Sequence, residues 1–164
     1  MGGASDFHKL FKILYFADQK HLAKYGMPIS GDYYKAMKDG PVPSRLYDVF
    51  QYIRDGNSWY MILPDCHEIF EINGQYHVVA RQLPDLDELS ESNINCLLES
   101  IEENRNLNFG DLKTKSHKSA WEAAKNDEMN VLDIASEGGA SEEMLEYITN
   151  NLENHTFFVT HAKF

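Results

Sequence analysis

The chain has 164 residues, of which 43% are hydrophobic, and its formal net charge is −11 at pH 7. This length and apolar content predict one globular domain with a core of its own. No apolar run approaches the roughly 20 residues of a membrane-spanning helix, and no signal-peptide pattern opens the chain. We therefore expect a cytoplasmic protein without membrane contact. The two cysteines, Cys66 and Cys96, lack metal or redox spacing and are interpreted as free thiols.

The charge is divided unevenly along the chain. Residues 1–60 contain eight Lys or Arg and six Asp or Glu, whereas residues 61–164 contain seven and twenty. The acidic second part argues against a basic nucleic-acid-binding stripe there, and it would attract a cationic protein partner. The same distribution is also typical of solvated helix faces that only keep a protein soluble.

Residues 5–25 carry the strongest helical pattern. Apolar side chains recur there at spacings of three and four, and a glycine with a proline beyond it ends the pattern. Asp18 falls on the apolar face, where an unpaired carboxylate would be costly. We therefore expect Asp18 to accept hydrogen bonds from buried donors, either backbone N–H groups of the bend at 38–40 or the side chains of His117 and Trp121.

The next stretch is harder to assign. Residues 31–38 are short and aromatic, and they fit either an extended segment or a single helical turn. The sequence Gly-Pro-Val-Pro at 40–43 then predicts a sharp, rigid loop, because glycine and proline restrict or free the backbone in different directions. Pro43 suits the first turn of a helix, and the apolar spacing at 46–53 continues this predicted helix to Asp55-Gly56.

The clearest strand signal spans residues 67–82. Two β-prone runs flank Asn73-Gly74, the dipeptide that best fits a two-residue hairpin turn. The tail at 156–160 is also β-prone and is a candidate partner strand for this hairpin.

The other periodic segments predict helices. An amphipathic helix with an acidic outer face is expected at 86–103, and two short helices are expected within 109–124. Residues 129–135 are a further candidate, and a serine-capped helix is expected at 141–152. The sequence therefore predicts an α+β fold, a mostly helical single domain with a small antiparallel β-hairpin or sheet.

The common catalytic and nucleotide-binding motifs do not occur in the sequence. Asp18 and His21 share one helical face, so with His117 they are the best candidate for a metal site, although no sequence feature brings His117 near them. No serine or cysteine lies in a context that would activate a nucleophile. The favoured interpretation is a network of buried polar side chains, including Asp18 and His117, that holds the fold without metal or cofactor.

Three short motifs in this order resemble the signature of one family. They are Leu-Tyr-x-Ala-Asp at 14–18, Ala-x-Lys-x-Gly-Pro-Val at 36–42 and Ser-His-x-x-x-Trp at 116–121. The resemblance is to the Panacea family, the SocA-like antitoxin domain that is often phage-associated. It covers residues 9–125, and residues 126–164 are expected to add a C-terminal helix and tail to the same Panacea-like domain. The family usually has proline where this chain has Ala120.

The resemblance implies a protein-binding antitoxin without catalytic activity of its own. Panacea domains neutralise unrelated toxins by direct contact, and the SocA branch acts as an adaptor that delivers its toxin to a Clp-type protease. The implied partner is a protein toxin encoded nearby, and an acidic surface suits a basic toxin directed at RNA or replication.

Two rival functions remain beside the antitoxin. One is a cryptic metal-dependent enzyme that uses Asp18, His21 and His117. The other is a phage-derived regulatory protein that contacts nucleic-acid machinery. The small positive charge of residues 1–60 does not predict direct nucleic-acid binding.

Two parts of the motif region are predicted to contact the partner. Gly40, Pro41, Val42 and Pro43 shape the entry to the second helix, and as a rigid exposed loop they would bind at a small entropic cost. Trp121, with its large apolar surface, is the other candidate.

Overall fold

The computed structural model describes residues 4–56, 65–125 and 127–161, with residue 4 and residues 154–161 described by their backbone alone. The α-helices are α1 (Phe7–Tyr25), α2 (Ser44–Asp55), α3 (Cys66–Ile69), α4 (Glu91–Asn104), α5 (Phe109–Ser116), α6 (Ser119–Ala124), α7 (Val131–Glu137) and α8 (Glu142–His161). The strands are β1 (Ala4–Asp6), β2 (Tyr34–Met37), β3 (Gly40–Pro43), β4 (Phe70–Asn73) and β5 (His77–Ala80). The predicted mostly helical α+β fold is confirmed.

Helix α1 is the element around which the others pack. Its N-cap is Asp6, whose carboxylate accepts a hydrogen bond of 2.8 Å from the Lys9 amide, and it ends at Gly26 in the left-handed region. Helices α4, α5, α7 and α8 and strands β1 and β3 all contact it. Most of its residues are buried, so α1 is a central helix with more than one packed face.

Two clusters of buried apolar side chains form the core. The larger one joins α1 to β2 and to the helices that follow residue 109, and it includes Tyr15, Phe16 and Leu112. The smaller one joins the first turns of α1 to α2 and β5. In that cluster the rings of Phe7 and Phe50 lie 4.9 Å apart between centroids, which is close enough for a favourable aromatic contact.

The three-stranded antiparallel sheet has the order β1-β5-β4. The β4–β5 hairpin confirms the two predicted strands, but Asn73 pairs with His77, so the loop has three residues instead of two. The first predicted strand residues, 67–69, belong to α3. The third strand is β1 and not the tail at 156–160, because those residues continue the helical hydrogen bonding of α8 despite their β propensity.

Strands β2 and β3 form a second, separate antiparallel hairpin. Tyr34 pairs with Pro43 and Met37 with Gly40. Of the two alternatives for residues 31–38, the extended one therefore holds at 34–37, and the predicted loop at 40–43 is itself a strand. Proline is tolerated in β3 because the sheet has only two strands. The edge of β2 that faces away from β3 forms backbone hydrogen bonds with residues 127–129, and these bonds fix the hairpin from that side.

Helix termini and cysteines follow the sequence closely. Ser90 caps α4 in a capping box with Asn93, so the predicted helix at 86–103 divides into a short 3-10 turn and α4. Cys66 and Cys96 are buried free thiols, as predicted. No helix within the described ranges is long and apolar enough to cross a membrane.

Gly40→Ala tests how closely the second hairpin packs. A Cβ atom at Gly40, whose φ is 106°, would lie 2.5 Å from Ser116 Oγ and 2.6 Å from Lys12 Cε. Strain and overpacking together are expected to lower the free energy of unfolding by about 2–4 kcal/mol in urea denaturation.

Gly31→Ala is the matched control for this substitution. Its φ of 62° is also left-handed, but nothing lies within 4 Å of the added Cβ. Only the backbone strain applies, so the loss is expected to be about 1 kcal/mol. Equal losses in the two variants would show that close packing at Gly40 is unimportant.

Candidate functional site

Residues of the second and third motifs meet at the hairpin bend, defined here as residues 37–41, where β2 turns into β3. Side chains from α1 and α6 donate hydrogen bonds to three backbone carbonyls of this bend. The pairs are Trp121 Nε1 with Met37 O at 2.9 Å, His8 Nε2 with Asp39 O at 3.1 Å, and Lys12 Nζ with Pro41 O at 2.8 Å. The bond to Pro41 O is buried, where a carbonyl needs such a donor, and together these three side chains fix the position of the bend.

Lys12 is the most unusual of these donors. Its side chain is only 1% exposed, and the absence of a side chain at Gly40 leaves room for its terminal atoms. Burial disfavours the charged ammonium and lowers the pKa of Lys12 to about 7, while the Asp39 carboxylate opposes this effect. The amine therefore changes charge near neutral pH.

Helix α5 holds the bend from a second direction. Lys113 donates to Asp39 Oδ1 at 2.7 Å, and this hydrogen bond lowers the pKa of Asp39. On the α1 side, burial and then the charge of Lys12 lower the pKa of His8. The His8 ring is therefore neutral at pH 7, and its buried Nδ1 has no hydrogen-bond partner among the described residues.

His117 and Trp121 form a stacked pair behind the bend. Their ring centroids lie 3.8 Å apart with an interplanar angle of 6°. His117 ends α5 and Trp121 belongs to α6, so a chain turn and not a shared helical face brings the rings together. Burial lowers the pKa of His117. The Ala120 amide donates to Glu137 Oε2 at 2.9 Å, a bond that the usual proline of the family could not make.

Asp18 is fully buried and lies in a different network from the one predicted. Its carboxylate accepts hydrogen bonds from the Ile29 amide at 2.7 Å, the Ser30 amide at 3.0 Å and the Tyr34 hydroxyl at 2.8 Å, and also from the Ser30 hydroxyl. The predicted donors in the bend, in His117 and in Trp121 do not bind it. Asp18 is six residues beyond Lys12, about 9 Å along the helix axis, and therefore faces the loop before β2 instead of the bend.

The candidate metal residues are not assembled. The His21 Nδ1–H donates to Met27 O at 2.6 Å, and Nε2 is 3.0 Å from both Ser92 Oγ and Asn93 Nδ2. Both ring nitrogens of His21 are thus occupied, while His117 is stacked on its tryptophan elsewhere. Within residues 4–56, 65–125 and 127–161, no three His, Cys, Asp or Glu side chains are placed to share one metal ion.

The predicted contact segment is largely covered. Gly40, Pro41 and Pro43 are buried and Val42 is half-buried, because β3 pairs with β2 and packs against α1. The prediction that these four residues form an exposed loop is therefore wrong. The exposed residues of the hairpin are Lys35 and, next to the predicted segment, Met37 and Lys38.

A groove of about 550 Å³ opens beside the bend, and the sequence did not reveal it. Its walls come from the first turns of α1, the bend, Tyr47 of α2, the β4–β5 loop and the start of α5. Phe109 stacks on His8 at 3.9 Å between ring centroids and forms one wall. The side chains of Met37, Tyr76 and Phe109 at its rim are 42%, 57% and 53% exposed. We call this feature the bend groove.

The bend and most of its supports fall inside a recognised family domain. The chain matches the family model for the antitoxin SocA-like Panacea domain over residues 10–122, which is more than two thirds of its length. The chain therefore belongs to this family, and an antitoxin-like role follows. Comparison with curated proteins and with solved structures gave no significant match.

Lys12→Met tests the buried amine through the pH dependence of stability. Between about pH 7 and 10.5 the unfolded chain keeps a proton on Lys12 that the folded chain has lost, so the wild type should become more stable as the pH rises. Methionine cannot titrate. The free energy of unfolding of the wild type minus that of Lys12→Met should therefore increase by about 2 kcal/mol from pH 7 to pH 9.

Urea denaturation at pH 6, 7, 8 and 9 measures this difference. Lys9→Met is the control, since Lys9 lies near the same end of α1 and bonds to the Arg105 carbonyl in an exposed position. Parallel stability curves for the wild type and Lys12→Met would contradict the lowered pKa.

Proposed function

We propose that this protein is an antitoxin that binds a protein toxin directly and neutralises it by contact. The observation that carries the proposal is its membership of the SocA-like antitoxin family. The bend groove adds a structural reason for direct contact. Its rim exposes one methionine and two aromatic side chains, and these residue types are enriched where proteins bind one another.

We further propose that the hairpin bend is the centre of the contact surface. The bend is held by Trp121, His8, Lys12 and Lys113, so it would lose little conformational freedom when a partner binds. In this proposal Gly40, Pro41 and Pro43 shape the surface from within, and Val42 reaches the partner through the groove wall. Trp121 acts by positioning Met37.

The net charge of −11 supports a basic toxin as the partner. Most of the acidic excess lies beyond residue 60, in segments that include the exposed faces of α4 and α8. Such a surface would attract a cationic protein during encounter, and short-range contacts at the bend would then decide the affinity.

Delivery of the bound toxin to a Clp-type protease is a second step that the SocA branch suggests. An adaptor needs one surface for the toxin and another for the protease. Helix α8, which lies outside the matched region and begins with Glu142 and Glu143, offers a surface separate from the bend. A shorter half-life of the toxin in cells with both the antitoxin and the protease, but not with either alone, would support delivery over simple occlusion.

Co-expression with the product of the neighbouring gene tests the antitoxin role. We expect that product alone to arrest growth, and we expect this protein to rescue growth and to co-purify with it. Met37→Glu, which places a charge at the exposed tip of the bend, should weaken the complex by at least about tenfold because a contact at the centre of an interface is lost.

Leu98→Glu is the matched control, because Leu98 is 58% exposed on α4, away from the bend. It should leave binding and rescue unchanged. Absence of both toxicity and binding would remove the antitoxin proposal. If Met37→Glu and Leu98→Glu lose the same affinity, the complex is still established, but the bend is not the centre of the contact.

A further inference from the structure

We propose that the bend groove receives one segment of the partner protein in which an aromatic or long aliphatic side chain stands next to a carboxylate. This inference rests on the proposed function and adds the chemistry of the recognised segment. Three features carry it, namely the apolar walls of the groove, the exposed apolar rim, and an exposed Lys38 at its mouth that has no ion-pair partner among the described residues.

The walls are suited to one large apolar side chain. Phe7, Phe11, Val42 and Tyr47 line the interior, and the volume of about 550 Å³ lies within the usual range of ligand sites in proteins. A phenylalanine, leucine or methionine side chain that enters the groove would leave water and contact these apolar walls. Burial of apolar side chains in this way is the main source of affinity at protein contacts.

The rim indicates a protein and not a small molecule as the occupant. Met37, Tyr76 and Phe109 project around the mouth and remain about half exposed. A small ligand inside the groove would leave these side chains in water. A protein segment that crosses the mouth would cover them, and a ring of such contacts excludes water from the central side chain.

The charges at the mouth favour an acidic neighbour for that side chain. Lys38 is exposed, and no carboxylate among the described residues forms an ion pair with it. Asp39 is already paired with Lys113. Asp6 keeps its negative charge, but it caps the positive end of α1, whose dipole offsets part of that charge. A carboxylate on the partner segment would therefore be attracted, and an ammonium would not.

Binding of three short peptides to the purified protein tests this chemistry. The probes are acetylated, amidated tetrapeptides of sequence Gly-Phe-Glu-Gly, Gly-Phe-Lys-Gly and Gly-Ala-Glu-Gly, titrated at pH 7 while backbone amide resonances are followed by NMR. We expect the Phe-Glu peptide to shift the amides of Asp39, Val42 and Phe109. The lysine peptide should bind about fivefold more weakly, and the alanine peptide at least about tenfold more weakly.

Two variants place the binding in the groove. Phe109→Ala removes a half-exposed wall and should abolish the shifts, whereas Lys38→Ala should keep the shifts but remove the preference for glutamate over lysine. Leu98→Ala is the control and should behave as wild type. Since all three positions are exposed, the variants are expected to fold, and their NMR spectra verify this.

The outcomes separate this inference from the antitoxin proposal. Equal affinity for the glutamate and lysine peptides, no binding of the Phe-Glu peptide, or shifts confined to residues outside the groove would overturn the inference. So would a toxin complex that Phe109→Ala leaves intact. If the peptides behave as expected but the neighbouring gene product does not bind, the antitoxin proposal fails and the preference of the groove stands.

Discussion

The hydrogen bond from the buried Lys12 side chain to the Pro41 carbonyl is the contact on which the arrangement of this molecule depends. It fastens the second hairpin to the second turn of the central helix, and it can form only because Gly40 leaves space for the end of the lysine side chain. An isolated two-stranded hairpin is at best marginally stable in water, so β2 and β3 need such external support. Burying a charged ammonium costs much more than burying a neutral amine, and this explains why the pKa of Lys12 falls to about 7.

The supports of the hairpin bend divide it into an inner and an outer side. Lys12, His8 and Trp121 bind its carbonyl groups, whereas the side chains of Met37 and Lys38 stay exposed. A segment held in this way is pre-organised, so a partner would not have to order it. The same supports form the bend groove, because α1, α5 and the bend enclose it together. Trp121 therefore acts mainly as an internal brace, and we propose that recognition occurs at the exposed residues of the bend and at the rim of the groove.

Local patterns in the sequence predicted the elements well and their assembly poorly. The helix at 5–25, the hairpin at 67–82 and the serine cap near 141 depend on neighbours within a few residues, and each was found. Gly40 to Pro43 was interpreted as an open loop because its pairing with β2 and its cover by α1 are tertiary contacts. The donors of Asp18 were misplaced for the same reason. The burial of Lys12 was not predicted, because a lysine in a helical pattern is normally a surface residue. The groove is lined by residues up to about 100 positions apart in the sequence. Local sequence patterns carry no information about contacts between such distant residues.

Amide hydrogen–deuterium exchange of the free protein and of its complex with the neighbouring gene product tests the central claim most directly. We predict that the complex protects residues 37–42 and 106–111 more than any other described segment, because both border the bend groove. Protection confined to α4 or α8, with the bend unchanged, would contradict this prediction and place the partner on the acidic surface instead.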